Sequence, residues 1–337
     1  MKLDLSQIKE ITTGAVAVNE ENGVFSFSRF TEEQERLYRE TNDDFYNKAL
    51  ANAGVKLSFK TDSKNLYIRL KATASSSRKY FSVDAFVNGR AIGYIDNFSD
   101  IKPERNYTKQ EFPLGTFSKS FALGEGEKSV CLHLPWSARV ELEELTIDDG
   151  AFIKGVKPTK KLLAFGDSIT QGYDALRPSN RYIARLADKI GAEEFNKGIG
   201  GEIFFPRLSE LKDDFVPDYI TVAYGTNDWN TIGSGAFKLN CKAFFNNLSK
   251  NYPNSKIFAI TPIWRKNYKE YREFGAFEAV EQYIRESVEG LDNITVISGF
   301  DLVPHDDGYF ADLVLHPKDD GFELYTENLY AEIKALL

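Results

Sequence analysis

The second half of the chain alternates short apolar runs with longer segments of helical periodicity. The apolar runs predict strands at residues 162–165, 219–224, 257–261 and 294–297, and the helical patterns cover residues 180–190, 237–250, 277–288 and 322–337. Buried strands that alternate with helices predict a parallel sheet with helices on both faces. In such sheets, ligands bind at the edge formed by the carboxyl ends of the strands. Functional residues are therefore expected directly after the predicted strands.

The first half of the chain follows a different pattern, in which apolar and polar residues alternate along short runs separated by turns. These runs predict strands at residues 55–59, 66–70, 81–87, 91–96, 130–134 and 140–147, and Asn88-Gly89 between two of them is a strong hairpin signal. Several short strands of this kind predict an all-β sandwich. Because the pattern changes near residues 155–159, we predict two domains, a β-sandwich at residues 1–157 and an α/β domain at residues 158–337.

Composition narrows the function classes. The 337 residues carry a formal net charge of -8, which disfavours nucleic acids and anionic membranes as partners. The sequence has no apolar run long enough to span a membrane and no apolar signal core at its start, so we expect a cytoplasmic protein. Its two cysteines, Cys131 and Cys241, have no metal-ligand spacing and fit a reducing setting. Nothing in the sequence indicates the oligomeric state.

Two of the predicted strand ends, and a glycine-rich segment between them in sequence, carry residues that suit acyl-transfer chemistry. Ser168 follows the first strand within Gly166-Asp167-Ser168, where small neighbours allow a tight turn and access to the hydroxyl. The glycine pair in the segment 196–202 could direct backbone N–H groups at an anion, although an ordinary turn is an equal alternative. Asn227, after the next strand, could supply a side-chain amide donor, although asparagine is also a frequent turn former.

A serine nucleophile needs a base, and histidine is the usual one because its pKa lies near neutrality. Of the three histidines, His133 lies in an alternating strand and is interpreted as structural, and His305 is interpreted as a loop residue. His316 follows Asp312 by four positions. If that segment is helical, the two share a face, and the carboxylate could orient the imidazole and stabilise its charged form.

These four blocks resemble those of the SGNH (GDSL-type) hydrolases. The resemblance covers residues 160–337 and rests on Gly-Asp-Ser-Ile-Thr-Gln-Gly, the glycine block at 196–202, Gly-Thr-Asn-Asp at 225–228 and His316-Pro317. It implies a three-layer α/β fold and ester hydrolysis without a metal or other cofactor. It also implies that Ser168 is the nucleophile and His316 the base. The oxyanion would be held by the N–H groups of Ser168 and Gly201 and by the amide of Asn227.

One position departs from the family's pattern. The triad aspartate usually lies three residues before the histidine, where this chain has Leu313, and Asp312 lies one residue further back. We predict Asp312 as the acid. Asp306 and Asp307 are alternatives, and some relatives orient the histidine with a backbone carbonyl instead.

The two-domain arrangement, with Leu132-His133-Leu134-Pro135-Trp136 near the end of the first domain, resembles the carbohydrate esterase family 2 type of acetyl esterase. This resemblance implies removal of O-acetyl groups from carbohydrates, with a small-molecule or oligosaccharide ester as substrate. Trp229, Trp264 and Glu202 are then candidate substrate contacts, although each tryptophan could equally close a core. The alternatives are a lipase, lysophospholipase or thioesterase of the same fold, or a non-catalytic carbohydrate-binding protein.

Overall fold

The computed structural model describes residues 1–100 and 106–337, and its N-terminal part is a sandwich of two antiparallel sheets. One sheet has the order β1-β4-β9-β6-β7, with β11 beside β4, and the other has the order β2-β3-β10-β5-β8. Apolar side chains from both sheets form one core between them. The strands are β1 (Thr12–Thr13), β2 (Ala17–Glu21), β3 (Val24–Ser28), β4 (Lys56–Thr61), β5 (Asn65–Ala74), β6 (Ser82–Val87), β7 (Arg90–Asp96), β8 (Gly115–Ala122), β9 (Lys128–His133), β10 (Ala138–Ile147) and β11 (Ile153–Gly155).

The predicted hairpin between β6 and β7 is confirmed. Val87 pairs with Arg90, and the two residues between them, Asn88 and Gly89, have φ angles of 49° and 76°. Two consecutive positive φ angles are what a tight two-residue hairpin turn requires, and Asn-Gly tolerates them best. The turn fixes the register of the strands on either side.

Three helices of the N-terminal part were not predicted, namely α1 (Leu5–Ile11), α2 (Glu32–Thr41) and α3 (Asp43–Ala49). Both α1 and α2 begin with a capping box, formed by Asp4 with Gln7 and by Thr31 with Gln34. Each box satisfies two backbone donors at a helix start, which stabilises such short helices. The interpretation of this part as purely β-rich was therefore incomplete.

The C-terminal part contains the predicted parallel sheet, in the order β13-β12-β14-β15-β16. Its strands are β12 (Lys160–Gly166), β13 (Ala192–Asn196), β14 (Tyr219–Ala223), β15 (Lys256–Ile260) and β16 (Ile294–Ile297). The helices are α4 (Ser168–Gln171), α5 (Tyr182–Ile190), α6 (Pro206–Glu210), α7 (Thr226–Thr231), α8 (Ser234–Asn251), α9 (Ala279–Ser287) and α10 (Asp319–Ile333). Apolar faces of α5 and α10 belong to one buried cluster and those of α8 and α9 to another, which gives three layers.

The N-terminal part packs closely on the parallel sheet. Both of the buried clusters against that sheet include N-terminal residues, among them Tyr80 and Trp136 in one and Phe30 and Tyr38 in the other. The division at residues 157 and 158 stays a prediction. Within the described ranges, no helix is both long and apolar enough to cross a membrane.

Replacing Arg181 with methionine is expected to destabilise the fold by about 3–5 kcal/mol, because it leaves a buried carboxylate without its partner. The Arg181 guanidinium contacts both oxygens of Glu194, at 2.6 and 3.1 Å, and both side chains are fully buried. The change in the free energy of unfolding can be measured by urea denaturation. The matched control is Arg36→Met, which removes an exposed pair with Glu33 and should cost less than about 1 kcal/mol. Equal losses in the two variants would contradict the prediction.

Candidate active site

The predicted site residues converge at the carboxyl edge of the parallel sheet. Ser168 begins α4 directly after β12, the glycine block follows β13, and Asn227 lies in the first turn of α7 after β14. His316 lies on the loop that precedes α10. Neighbouring parallel strands end at the same edge, which explains why residues so distant in sequence meet here.

Ser168 lies on a tight strand-to-helix turn. A side chain on Gly166 would come within 2.2 Å of the Thr170 hydroxyl and 2.8 Å of the Ala223 carbonyl, so the turn requires glycine there. Asp167 caps the short helix by accepting the Ile169 N–H at 2.9 Å. The turn places the Ser168 hydroxyl, in a side chain only 4% exposed, 2.8 Å from His316 Nε2.

The Asp312–His316 pair forms as predicted, but not on a helix. Residues 311–315 form turns and bends, and Leu313 has a φ of +62°, which the backbone needs in order to wrap around the carboxylate. Asp312 Oδ1 accepts the N–H groups of Val314, Leu315 and His316 at 2.8–3.1 Å. Asp312 Oδ2 lies 2.7 Å from His316 Nδ1. The left-handed turn therefore accommodates the one-residue displacement of this aspartate.

The charges around His316 suit a general base. Burial disfavours the imidazolium, but the hydrogen bond to Asp312 and the charge of Asp174 outweigh burial and raise the pKa of His316. Burial also disfavours the carboxylate of Asp312, yet the hydrogen bond and charge of His316 hold its pKa well below the ordinary value. Asp312 thus stays ionised when His316 takes up a proton, as the imidazolium of a serine hydrolase requires.

A second carboxylate near His316, that of Asp174, was not found from the sequence. Its Oδ2 lies 3.6 Å from His316 Nδ1, and the side chain is fully buried. Arg78 binds both of its oxygens, at 2.6 and 3.0 Å, and the Tyr80 hydroxyl donates to Oδ1 at 2.9 Å. Arg78 and Tyr80 come from the N-terminal part. The contacts that hold Asp174 in place therefore follow only from the packing of the two parts.

Replacing Asp174 with asparagine is expected to move the acid limb of the kcat/KM profile to lower pH. His316 must be neutral to accept a proton, so activity falls as the pH drops through its pKa, which is raised above the ordinary 6.5. The charge of Asp174 contributes to that rise, and its removal lowers the pKa and extends activity into acid. Kinetics from about pH 4 to 9, with the exposed Asp301→Asn as control, would measure the limb. A limb at the same pH in both variants would contradict the prediction.

The three candidate oxyanion donors, Ser168, Gly201 and Asn227, lie in the segments that follow β12, β13 and β14. Gly201 has a φ of +88° and is exposed, and the Asn227 amide donates to the Glu202 carbonyl at 3.0 Å. Among residues 1–100 and 106–337, no protein group accepts a hydrogen bond from the backbone N–H of Ser168 or from that of Gly201. Both N–H groups are therefore available to an oxyanion.

Each candidate donor is next in sequence to a buried carboxyl group with a raised pKa. Burial raises the pKa of Asp167 to about 6, that of Asp228 to about 7 and that of Glu202 to about 8. The charge of Asp167 adds to the rise at the other two. At neutral pH the carboxyl of Glu202 is therefore mostly neutral, which leaves less negative charge to oppose an oxyanion here.

The structure buries the three candidate substrate contacts. Glu202 is 1% exposed, and its carboxyl oxygens contact the hydroxyls of Tyr38 and Tyr224 at 2.6 and 2.7 Å. Trp229 is fully buried and donates its indole N–H to the Gly275 carbonyl. Neither side chain has a surface that a substrate could contact.

Trp264 is 7% exposed, and His305 covers one face of its ring, with centroids 5.7 Å apart and planes 12° apart. Stacking of a sugar on this ring is not supported. His305, interpreted as a loop residue, thus packs against the tryptophan and also contacts the Phe300 carbonyl at 3.0 Å.

The ligand atoms of Asp174, Asp312 and His316 lie within 4.8 Å of one another, a spacing that could hold a metal ion. These atoms already contact Arg78, Tyr80, Ser168 and one another. The hydrogen bonds use the two nitrogens of His316 in the way a proton relay requires, and the arrangement is explained without a metal.

At the carboxyl edge of the parallel sheet, a serine hydroxyl contacts an imidazole and the imidazole contacts a carboxylate. This hydrogen-bonded series is typical of the class of serine hydrolases. Residues 164–324 match the model of the GDSL-like Lipase/Acylhydrolase family. The chain therefore contains a GDSL-like acylhydrolase domain and is a carboxylic ester hydrolase. No curated protein matches the sequence significantly.

Several solved structures share the fold of nearly the whole chain. A salicylyl-acyltransferase from a tetracycline biosynthetic pathway is 20% identical, with a TM-score of 0.79 over 96% of this chain and 94% of that one. A putative GDSL-like lipase from Bacteroides ovatus is 20% identical, with a TM-score of 0.75 over 98% and 96%. A family two carbohydrate esterase from Clostridium thermocellum, in complex with cellohexaose, is 17% identical, with a TM-score of 0.63 over 85% and 93%.

Proposed function

We propose that this protein is a serine esterase that removes O-acetyl groups from carbohydrates, and that it does so through an acyl-enzyme. The observation that carries the proposal is the hydrogen-bonded series from Ser168 Oγ to His316 Nε2 and from His316 Nδ1 to Asp312. These contacts have the lengths at which a nucleophile, a base and its orienting acid work together.

In the proposed mechanism, His316 takes the proton of Ser168 as the serine oxygen attacks the acetyl carbon. The N–H groups of Ser168 and Gly201 and the amide of Asn227 stabilise the oxyanion. When the tetrahedral intermediate collapses, the bond from the acyl carbon to the sugar oxygen breaks, His316 gives its proton to that oxygen, and the acetyl group stays on Ser168. Water, deprotonated by His316, then attacks the acyl-enzyme; the bond from Ser168 Oγ to the acyl carbon breaks, His316 returns the proton to Ser168, and acetate leaves.

The N-terminal part of the chain lies beside the oxyanion loop. A side chain added to Gly201 would come within 3.6 Å of the Phe45 ring and 3.9 Å of the Lys48 ammonium, both on α3. The helix α3 is thus a neighbour of this donor. A carbohydrate leaving group is supported by the fold shared with a carbohydrate esterase that binds cellohexaose.

The test is acetate release from acetylated manno- and xylo-oligosaccharides, together with the rates on aryl esters of increasing acyl chain length. We expect acetate release from at least one oligosaccharide and a steep fall in rate as the acyl chain lengthens. Faster turnover of long acyl chains would overturn the acetyl proposal in favour of a lipase or thioesterase. Glycan binding without turnover would point to a non-catalytic carbohydrate-binding protein.

An alcohol can resolve an acyl-enzyme as well as water can, and a protein of the same fold is a salicylyl-acyltransferase. The assay therefore includes a sugar or aryl alcohol acceptor. Hydrolysis is supported if free acetate accounts for the substrate consumed, and acyl transfer is supported if the ester of the acceptor accumulates instead.

A further inference from the structure

The peptide that joins Gly200 to Gly201 is held from the N-terminal part of the chain. The Lys48 ammonium donates a hydrogen bond to the Gly200 carbonyl at 2.8 Å. The N–H on the other side of this peptide belongs to Gly201 and is a proposed oxyanion donor. An ammonium bound to a carbonyl polarises the whole amide, which makes its N–H a stronger donor.

Lys48 is set in a defined position. It lies near the end of α3 with 8% of its surface exposed, and its ammonium also pairs with Asp44, one turn earlier on the same helix. On the other side of the loop, the Gly200 N–H donates to the side-chain oxygen of Gln171 at 2.8 Å. Gln171 and Lys48 together fix the orientation of the two peptides that flank Gly200.

A second buried cation holds the same block from the same side. Arg29, 1% exposed, donates to the carbonyls of Asn196 at 2.7 Å and Gly198 at 3.3 Å. It also donates to the carbonyl of Lys48 at 2.9 Å, which ties α3 to the glycine block. Alternate carbonyls at 196, 198 and 200 thus bind cations of the N-terminal part.

We propose that Lys48 is a positioning residue of the oxyanion hole, holding and polarising the peptide whose Gly201 N–H receives the negative charge. The proposal rests on the proposed esterase function. It also gives the N-terminal part a role in the reaction, because a helix outside the α/β part then tunes a donor inside it.

The expected effect is on kcat. Charge on the acyl oxygen develops only in the transition state, so a weaker donor slows the chemical step and leaves ground-state binding largely intact. Loss of a whole oxyanion donor costs about 100- to 1000-fold. Since Lys48→Met weakens one donor without removing it, we expect kcat to fall about 10-fold, with KM changed less than about twofold.

Three variants of the protein test the proposal on an aryl acetate. Lys48→Met should lower kcat, and Lys48→Arg, which keeps a cation at this position, should restore most of it. Asp44→Asn removes the exposed partner of the ammonium but leaves the bond to Gly200, so its kcat should stay equal to that of the wild type or rise. Lys56→Met is the matched control, because Lys56 is an equally buried lysine that pairs with Asp188.

A separate measurement follows the rate at which an aryl fluorophosphonate labels Ser168. The serine oxygen bonds to phosphorus as fluoride departs, His316 takes the serine proton, and the phosphoryl oxygen enters the oxyanion hole. We expect Lys48→Met to slow labelling in parallel with kcat. Equal kcat in Lys48→Met and wild type would overturn the inference, as would an equal fall in Lys56→Met or a fall in Asp44→Asn as large as that in Lys48→Met.

The labelling rate separates the two proposals. A wild type that labels at Ser168 but releases no acetate would overturn the acetyl esterase function, while the effect of Lys48 on labelling would still decide this inference. A wild type that neither labels nor hydrolyses esters would overturn both.

Discussion

Replacing Ser168 with alanine is expected to lower kcat for acetyl esters by about 10⁵- to 10⁶-fold, which leaves only the weak assistance of the oxyanion donors. The hydroxyl 2.8 Å from His316 Nε2 is the one group of the protein that bonds to the acyl carbon in the proposed mechanism. Without it no acyl-enzyme forms, and water must attack the ester directly. Acetate release measured at high protein concentration would quantify the residual rate.

The matched control for this experiment is Ser209→Ala. Ser209 is fully buried on α6 and donates its hydroxyl hydrogen to the Pro206 carbonyl, away from the sheet edge. Ser209→Ala should keep activity within about twofold, since it removes this bond and the one that Ser209 Oγ accepts from the Asn247 amide at 3.1 Å, which costs about 1–3 kcal/mol of stability and no catalytic contact. Hydrolysis by Ser168→Ala at more than about a hundredth of the wild-type rate would mean that another group is the nucleophile.

The sequence was most informative where function and strand ends coincide. Ser168, the glycine block and Asn227 each follow a buried strand within a few residues. In a parallel sheet this local information is enough to place Ser168 and Asn227 at one edge, whereas the strand before the glycine block was not predicted. The strands and helices that were predicted around them were correct in type, with ends displaced by a few residues.

The missed strand β13 has an explicable cause. Two of its five residues are the acids Glu193 and Glu194, which a pattern of buried apolar residues excludes. Both are buried because each has a distant partner: Glu193 accepts the Gly14 N–H, and Glu194 pairs with Arg181. These partners, distant in sequence, allow two charged residues to be buried in a strand that its local sequence does not indicate.

The contacts between the two parts of the chain could not be predicted. Asp174 lies six residues after Ser168, but its significance depends on Arg78, and the Gly200 peptide depends on Lys48. Both partners come from loops or short helices of the N-terminal part, and no periodicity links them to the strand ends. Such contacts follow from packing and are visible only in three dimensions.

The contacts of the three candidate acids differ. Asp306 accepts the Gly308 N–H, and Asp307 pairs with Lys266, whereas Asp312 reaches His316 Nδ1. The proposal that Asp312 is the functional acid therefore has a direct test.

Replacing Asp312 with asparagine is expected to lower kcat/KM by about 10³- to 10⁴-fold, because an amide favours the wrong tautomer of the histidine. The oxygen of the introduced amide can still accept the three backbone N–H groups of the loop, so the fold should persist. The NH₂ group of that amide would then face His316 Nδ1 and require this nitrogen to accept. Nε2 would carry the proton and could no longer take one from Ser168. Acetate release and the unfolding midpoint should be measured together.

The matched control is Asp306→Asn, which changes the same functional group in a neighbouring loop and should leave activity within about twofold, as surface substitutions do. A double variant with Asp174→Asn adds a further test. Asp174 Oδ2 lies 3.6 Å from the same nitrogen of His316 and can hold part of the population in the active tautomer. If Asp312→Asn alone retains wild-type activity and the double variant loses it, Asp174 rather than Asp312 orients the base. If both variants retain it, neither carboxylate is needed, and the backbone of the loop orients His316.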